Sequence, residues 1–88
     1  MIESRFTIGY RTRDLIAREL CNGNASVSDE ETLRDDLGAD SFDLWALAPV
    51  LEDAFNITIT DKAICATETV GDVVDLVRGL VVKPEGAE

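Results

Sequence analysis

The chain has 88 residues and a formal net charge of −10, enough for one small domain, since domains commonly run to about 100–200 residues. A chain of this size buries only a little over roughly 60% of its unfolded surface and leaves little room for an enclosed active site, so a large substrate would be met at the surface or by a partner. Residues 29–61 hold ten acids against Arg34 alone, a net −9, whereas 1–28 sum to +1 and 62–88 to −2; such a patch excludes nucleic acid and anionic membrane and attracts basic protein surfaces.

Tyr10 to Leu20 has Leu15, Ile16 and Leu20 on one face and charges on the other, which predicts an amphipathic helix. Gly9 is expected to limit its N-terminal extension, with residues 1–9 left unassigned, and Asn22-Gly23-Asn24 to end it, because these residues tolerate the left-handed conformation of a helix C-cap. A long loop over about 21–40 follows, pinned by Val27, Leu33 and Leu37; loops that long in small domains are usually functional or disordered. A second helix runs from the stretch LGADSFDL, residues 37–44, to about Phe55, with Leu44, Leu47, Leu51 and Phe55 at helical spacing and Asn56 closing it. The four residues 57–60 alternate like a strand but have no ladder to join, so they read as an extended connection burying Ile57 or Ile59. Asp61 is expected to cap a short helix over 62–66, and Thr69 another from Val70 to Val82 with Val73, Val74, Val77 and Leu80 or Val81 inward.

The fold class is therefore all-α, a small bundle of three longer helices and one short one, in a single domain with 83–88 as a disordered tail. The expected interior comprises Leu15, Leu20, Leu33, Leu37, Leu47, Leu51, Phe55, Ile59, Ile64, Val70, Val74 and Val77. Cys21 and Cys65 are too few for a disulfide scaffold, and without histidine or a Cys-x-x-Cys pair there is no zinc pattern. No run of 18 apolar residues occurs, which gives the expectation of a cytoplasmic protein without membrane insertion.

Ser41 stands between Asp40 and Asp43, just after Gly38 and just before an apolar helix. If Ser41 were the N-cap, Leu44 would occupy N3 and could not close a capping box. With Asp40 as N-cap, Asp43 is N3, both acids lie at the positive end of the helix dipole, and Ser41 becomes the first helical residue with its hydroxyl spared from capping. Nucleophilic catalysis by this chain is disfavoured: there is no histidine to act as base, and Ala39-Asp40-Ser41-Phe42-Asp43 does not match Gly-x-Ser-x-Gly. A calcium loop counted from Asp36 or from Asp40 puts Leu47 or Leu51 at the twelfth position, where a bidentate Glu is required. Ser41 reads instead as an acceptor modified by another enzyme, at a helix end that suits a phosphate ester.

Leu37-Gly38-Ala39-Asp40-Ser41 followed by a hydrophobe and Asp43 resembles the phosphopantetheine-attachment motif of acyl carrier proteins. The likeness covers roughly residues 12–80, taking in Leu33, Asp36, the stretch 51–55, Ile59, Asp61 and Thr69-Val70 without a gap. The resemblance implies a four-helix bundle whose second helix is read by partners. It also implies that a phosphopantetheinyl transferase places 4'-phosphopantetheine from coenzyme A on Ser41, whose new thiol carries acyl groups as thioesters between acyl-transferring, condensing or loading enzymes of fatty-acid, lipid or polyketide-type biosynthesis. The chain would then be a non-catalytic monomer. Asp40, Asp43, Glu52, Asp53 and Asp61 fall where the family places acidic docking residues, to be weighed as a set, since each alone reads equally as a solvated charge.

Four positions depart from the family pattern. Pro49 lies inside the second helix, where it removes the hydrogen bond to the Trp45 carbonyl at a cost of about 3 kcal/mol if unrelieved, and predicts a kink there. Ala46 stands where relatives commonly have an acid, Phe42 replaces the usual leucine, and Trp45 either narrows an acyl pocket or is exposed as a partner contact. Together they imply a specialised carrier rather than a housekeeping one. Two other readings are kept: a stand-alone peptidyl or aminoacyl carrier, against which Gly38-Ala39-Asp40 and the charge of −10 both count, and an acidic interaction module without a covalent cofactor.

Overall fold

Residues 5–21 and 27–81 are described by a computed structural model. Four helices follow in chain order: α1 Arg5–Cys21, α2 Ser41–Phe55, α3 Asp61–Cys65 and α4 Val70–Val81. The pairing of extended backbone among the described residues is a single isolated bridge between Thr32 and Thr69. α1 packs on α4 and α2, and α2 on α3. The three longer helices and one short one are as expected. Asn22, Gly23 and Asn24 and the predicted tail lie outside the described residues.

The start of α1 corrects the expectation. The helix begins at Arg5, not Tyr10, and passes through Gly9. Gly9 is buried against α4: a Cβ added there would stand 3.0 Å from Nη2 of Arg78. A glycine inside a helix is unfavourable by about 1 kcal/mol relative to alanine, and here it makes room for that guanidinium. Extending the helix brings Ile8 into line with Thr12 and Ile16, four residues apart, and all three are fully buried. The Thr12 hydroxyl is satisfied locally, donating to the Ile8 carbonyl at 2.7 Å, which removes the penalty of an unpaired polar group in the core. Leu15 and Leu20, expected inside, are only half-buried at the edge of that stripe.

Leu44, Leu47, Ala48 and Leu51 form the buried face of α2. The helical run continues through Pro49, which is exposed, so the carbonyl deprived of a partner lies on the solvent side. The C-cap Asn56 has φ 56° and ψ 52°, the left-handed conformation that asparagine tolerates. Cations favour helix C-termini, yet the last turn of α2 has no basic residue. Arg11 of α1 supplies one: its Nη2 donates to the Ala54 carbonyl at 3.3 Å and its guanidinium lies 4.7 Å from the Phe55 ring centroid. Phe55 is half-buried beneath it.

The connection 57–60 buries Ile59 and half-buries Ile57. The cap of α3 differs from expectation by one residue. Thr60, in extended backbone, accepts the Ala63 amide on its Oγ1 at 3.1 Å, and Asp61 is the first helical residue. Threonine thus takes the capping role, while Asp61 keeps its favourable place at the positive end of the helix.

The first turn of α4 is completed from two directions. Thr69 Oγ1 accepts the Asp72 amide at 3.1 Å while Asp72 Oδ2 accepts the amides of Thr69 and Glu68. The amides of Val70 and Gly71, which a helix start leaves without intrahelical acceptors, donate to the carbonyls of Glu31 and Asp29 at 2.9 and 3.0 Å. In return the Leu33 amide donates to the Glu68 carbonyl at 2.9 Å. Those three bonds lash the 27–40 segment to α4, with Val27 and Leu33 buried beneath it and Leu37 half-buried. Val70, Val73, Val74 and Val77 then complete the core.

Candidate functional site

The approach to Ser41 is built before the helix starts. Thr32 and Asp36 bond reciprocally: the Thr32 amide donates to Asp36 Oδ2 at 2.8 Å, and the Asp36 amide to Thr32 Oγ1 at 3.0 Å. The Leu37 amide donates to the Thr32 carbonyl, and the Ala39 amide to the Leu33 carbonyl at 2.8 Å. Gly38 turns the chain between them with φ +73°, a conformation that disfavours any residue with a Cβ. Because Leu33 and Ala39 are buried, this turn is anchored to the core, and the next residues emerge at a fixed point.

Asp40 is the N-cap of α2, in extended backbone. Its Oδ1 accepts the Asp43 amide at 3.0 Å, and Asp43 Oδ2 accepts the Asp40 amide at 3.1 Å, a reciprocal capping box. Both carboxylates flanking Ser41 are therefore engaged with backbone. Ser41 is the first residue of α2, half-exposed, and among the described residues its hydroxyl takes no part in the cap. Ser41 stands at the first turn of the helix, where partial positive charge and N–H donors suit a phosphate. An ester attached there would meet no bond to break first.

The remaining residues singled out from the sequence divide into three groups. Phe42, Trp45, Ala46 and Pro49 are all exposed. Of the two alternatives for Trp45, exposure holds: its ring packs edge-on against Phe42, centroids 5.6 Å apart, with 46% of the tryptophan and 74% of the phenylalanine accessible. Asp53 and Asp61 are exposed, Asp53 near the end of α2 and Asp61 at the start of α3. Glu52 is half-buried, and its Oε2 accepts the Ile59 amide at 2.7 Å, which ties the end of α2 to the connection leading to α3. Asp40 and Asp43 thus hold the capping positions expected from the sequence, whereas Glu52 has a structural duty that sequence reasoning did not assign. Thr32 was missed as a positioning residue; its signal was the four-residue spacing to Asp36. Cys21 and Cys65 are free thiols, both half-buried, and the described residues contain no cluster able to hold a metal ion. No helix among them is long and apolar enough to cross a membrane.

Residues 11–77 match the phosphopantetheine attachment site family. Among solved structures, a protein of Mycobacterium tuberculosis assigned as an acyl carrier protein is 34% identical, with a TM-score of 0.70 over 77% of this chain and 90% of that one. An acyl carrier protein from Thermotoga maritima is 25% identical, with a TM-score of 0.75 over 92% and 94% of the two chains. The actinorhodin acyl carrier protein from Streptomyces coelicolor, at 24% identity, shares the fold with a TM-score of 0.62 over 81% and 91%. With three quarters of its length inside that match and the same helical architecture, the chain belongs to the phosphopantetheine attachment family as an acyl carrier protein, bearing the kind of domain to which 4'-phosphopantetheine is covalently attached.

Proposed function

We propose that Ser41 is the attachment residue and that the chain is a carrier, not a catalyst, passing acyl thioesters between separate enzymes. The observation that carries this reading is that Ser41 opens α2 while the capping is done by its two neighbouring carboxylates, so that among the described residues its hydroxyl takes no part in the cap. A phosphopantetheinyl transferase supplies the base that this chain, having no histidine, lacks. In that step Ser41 Oγ attacks the pantetheine-bearing phosphorus of coenzyme A, the pyrophosphate P–O bond breaks, adenosine 3',5'-bisphosphate leaves, and the hydroxyl proton passes to the transferase. Once attached, the group supplies a thiol on which acyl cargo is held as a thioester.

The acidic surface supports partner enzymes with basic rims, because complementary charge raises the rate of encounter. Asp53 and Asp61, exposed and with no carboxylate bond among the described residues, fit this role best, and Asp40 and Asp43 add charge beside Ser41 while capping α2. Acyl cargo is favoured over aminoacyl cargo by Gly38-Ala39-Asp40 and by the net charge of −10, and the departures at Phe42, Trp45, Ala46 and Pro49 fit a dedicated fatty-acid, lipid or polyketide-type pathway in the cytoplasm. Intact-mass measurement after incubation with coenzyme A, magnesium and a phosphopantetheinyl transferase tests the assignment. A gain of one phosphopantetheine that disappears in Ser41→Ala supports it; no gain with several transferases favours an interaction module. Loading the modified protein from panels of acyl and amino-acid donors then decides the cargo.

A further inference from the structure

The segment from Ile59 to Glu68 runs back along α2. At its start the Ile59 amide is bonded to Glu52, near the end of α2. At its far end the Glu68 carbonyl accepts the Leu33 amide, and the Leu33 carbonyl in turn accepts the amide of Ala39, just before Asp40 and Ser41. α3 lies between these two ties and packs on α2, so Cys65, its last residue, falls in the half nearer Ser41. Helices in contact stand about 8–10 Å apart and rise about 1.5 Å per residue, which puts Cys65 roughly 10–15 Å from Ser41. The thiol is free and half-buried, and the residue after it, Ala66, is exposed, so solvent reaches this corner of the bundle.

The group that this family carries on its serine supplies another thiol. From the serine oxygen to that sulfur run roughly fourteen atoms in line, the length of about five extended residues or ~17 Å. Such a tether spans the gap to Cys65 with slack, and a short flexible link holds two groups at an effective concentration in the millimolar range. Neither a disulfide nor a metal cluster engages Cys65 among the described residues, and carrying acyl groups gives it no task. Cys21 closes α1, and among the described residues no comparable chain of bonds ties it to the turn before Ser41.

We propose that Cys65 is a redox latch for the attached arm: when small disulfides accumulate it captures the arm's thiol and takes the carrier out of acyl transfer until it is reduced. This rests on Ser41 being the attachment residue. The oxidant is a small disulfide of the glutathione class. Cys65 Sγ, as thiolate, attacks one sulfur of that disulfide and releases one thiol. The Cys65 sulfur of the mixed disulfide is then attacked by the arm's thiolate, the second small thiol leaves, and an internal disulfide remains. Two protein thiols are oxidised, one small disulfide is reduced to two thiols, and the protons pass to the departing thiolates. Excess small thiol reverses both steps. Closure needs a free thiol on the arm, so a carrier already loaded with cargo, its sulfur held in the thioester, escapes capture.

The test uses protein bearing phosphopantetheine, prepared with coenzyme A and a transferase, equilibrated in mixtures of reduced and oxidised glutathione, quenched with acid and weighed intact. The expected product is lighter by two hydrogens, monomeric on a non-reducing gel, and half-formed where the squared thiol concentration divided by the disulfide concentration is on the order of 1 mM. Proteolysis of the unaltered protein should yield the Ser41 and Cys65 peptides joined through the arm. Cys65→Ser should give glutathione adducts in place of the closed form, and Cys21→Ser should close as the unaltered protein does. Only glutathione adducts or covalent dimers from the unaltered protein, closure that persists in Cys65→Ser or is lost in Cys21→Ser, or the same mass loss in protein without the arm each overturn the latch and leave the Ser41 assignment intact. A protein that gains no phosphopantetheine overturns both.

Discussion

The carboxylate of Glu52 and the amide of Ile59 are joined by a 2.7 Å hydrogen bond that fastens the last turn of α2 to the segment entering α3. Glu52 is a docking candidate by position, but this bond gives it a role in holding the fold. Leaving a partly buried amide without its acceptor typically costs about 1–3 kcal/mol. Glu52→Ala should therefore lower the unfolding midpoint in thermal or urea melts by an amount in that range, and Glu52→Gln, which keeps an acceptor oxygen, by less. Asp53→Ala, at an exposed neighbour, should stay within about 0.5 kcal/mol of the unaltered protein. Equal effects at the two positions would remove the structural role of Glu52.

The capping box separates stability from chemistry at adjacent residues. Asp40→Ala removes the side chain that accepts the Asp43 amide and should destabilise the protein by about 1 kcal/mol, the usual value of an N-cap. Ser41→Ala removes a hydroxyl that takes no part in the cap and should leave urea unfolding unchanged within about 0.5 kcal/mol, while abolishing any mass gain from a transferase. A Ser41→Ala protein as destabilised as Asp40→Ala would show that the serine caps α2 after all.

Two glycines of α4 should respond to alanine with opposite signs. A Cβ at Gly79 meets nothing within 4 Å, so Gly79→Ala should stabilise by up to about 1 kcal/mol through helix propensity alone. At Gly71 the added atom would lie 3.2 Å from both Cβ and the carbonyl oxygen of Asp29, the same carbonyl that accepts the Gly71 amide. Gly71→Ala pushes the 27–40 segment off α4 and should destabilise despite the better propensity. Hydrogen exchange should show Val70 and Gly71 losing protection first.

Asp72 gives a pH signature. Backbone amides of Glu68 and then Thr69 donate to its carboxylate, with a smaller contribution from the Thr69 hydroxyl, and together they hold its pKa below the ordinary 3.8. A carboxylate with a depressed folded-state pKa stabilises the fold fully above its unfolded value, and that contribution is lost as pH falls through the folded value. Asp72→Asn should melt earlier than the unaltered protein at neutral pH, and the gap should close only as the pH drops below 3.8. A gap unchanged between neutral and strongly acidic pH would exclude the ionised carboxylate as its source.

The features legible in the sequence are those set by neighbours within one helical turn. Asp40 as N-cap, with Asp43 three residues on, follows from the chemistry of a helix start, and it leaves Ser41 free. Asn56 ends α2 because asparagine tolerates the left-handed backbone, and the valines of α4 declare their buried face by spacing alone. Where local signals competed, prediction slipped. Gly9 looks like a boundary because glycine is a poor helix former, but burial of Ile8 beside Thr12 and Ile16 outweighs that preference and carries α1 back to Arg5. Thr60 and Asp61 are both competent caps, and one residue of register decides between them.

What only the tertiary structure decided depends on elements distant in the chain coming together. Arg11 neutralises the C-terminal end of α2 from 43 residues away, a pairing invisible to any periodicity. The carbonyls of Asp29 and Glu31 complete the start of α4, which turns a long polar segment into the mount that fixes Gly38 and the residues after it. Trp45 is outside because α2 commits Leu44, Leu47 and Leu51 to the core. The serine and its cap are products of local chemistry, whereas the aromatic face beside them exists because the bundle spends the other side of that helix on its own interior.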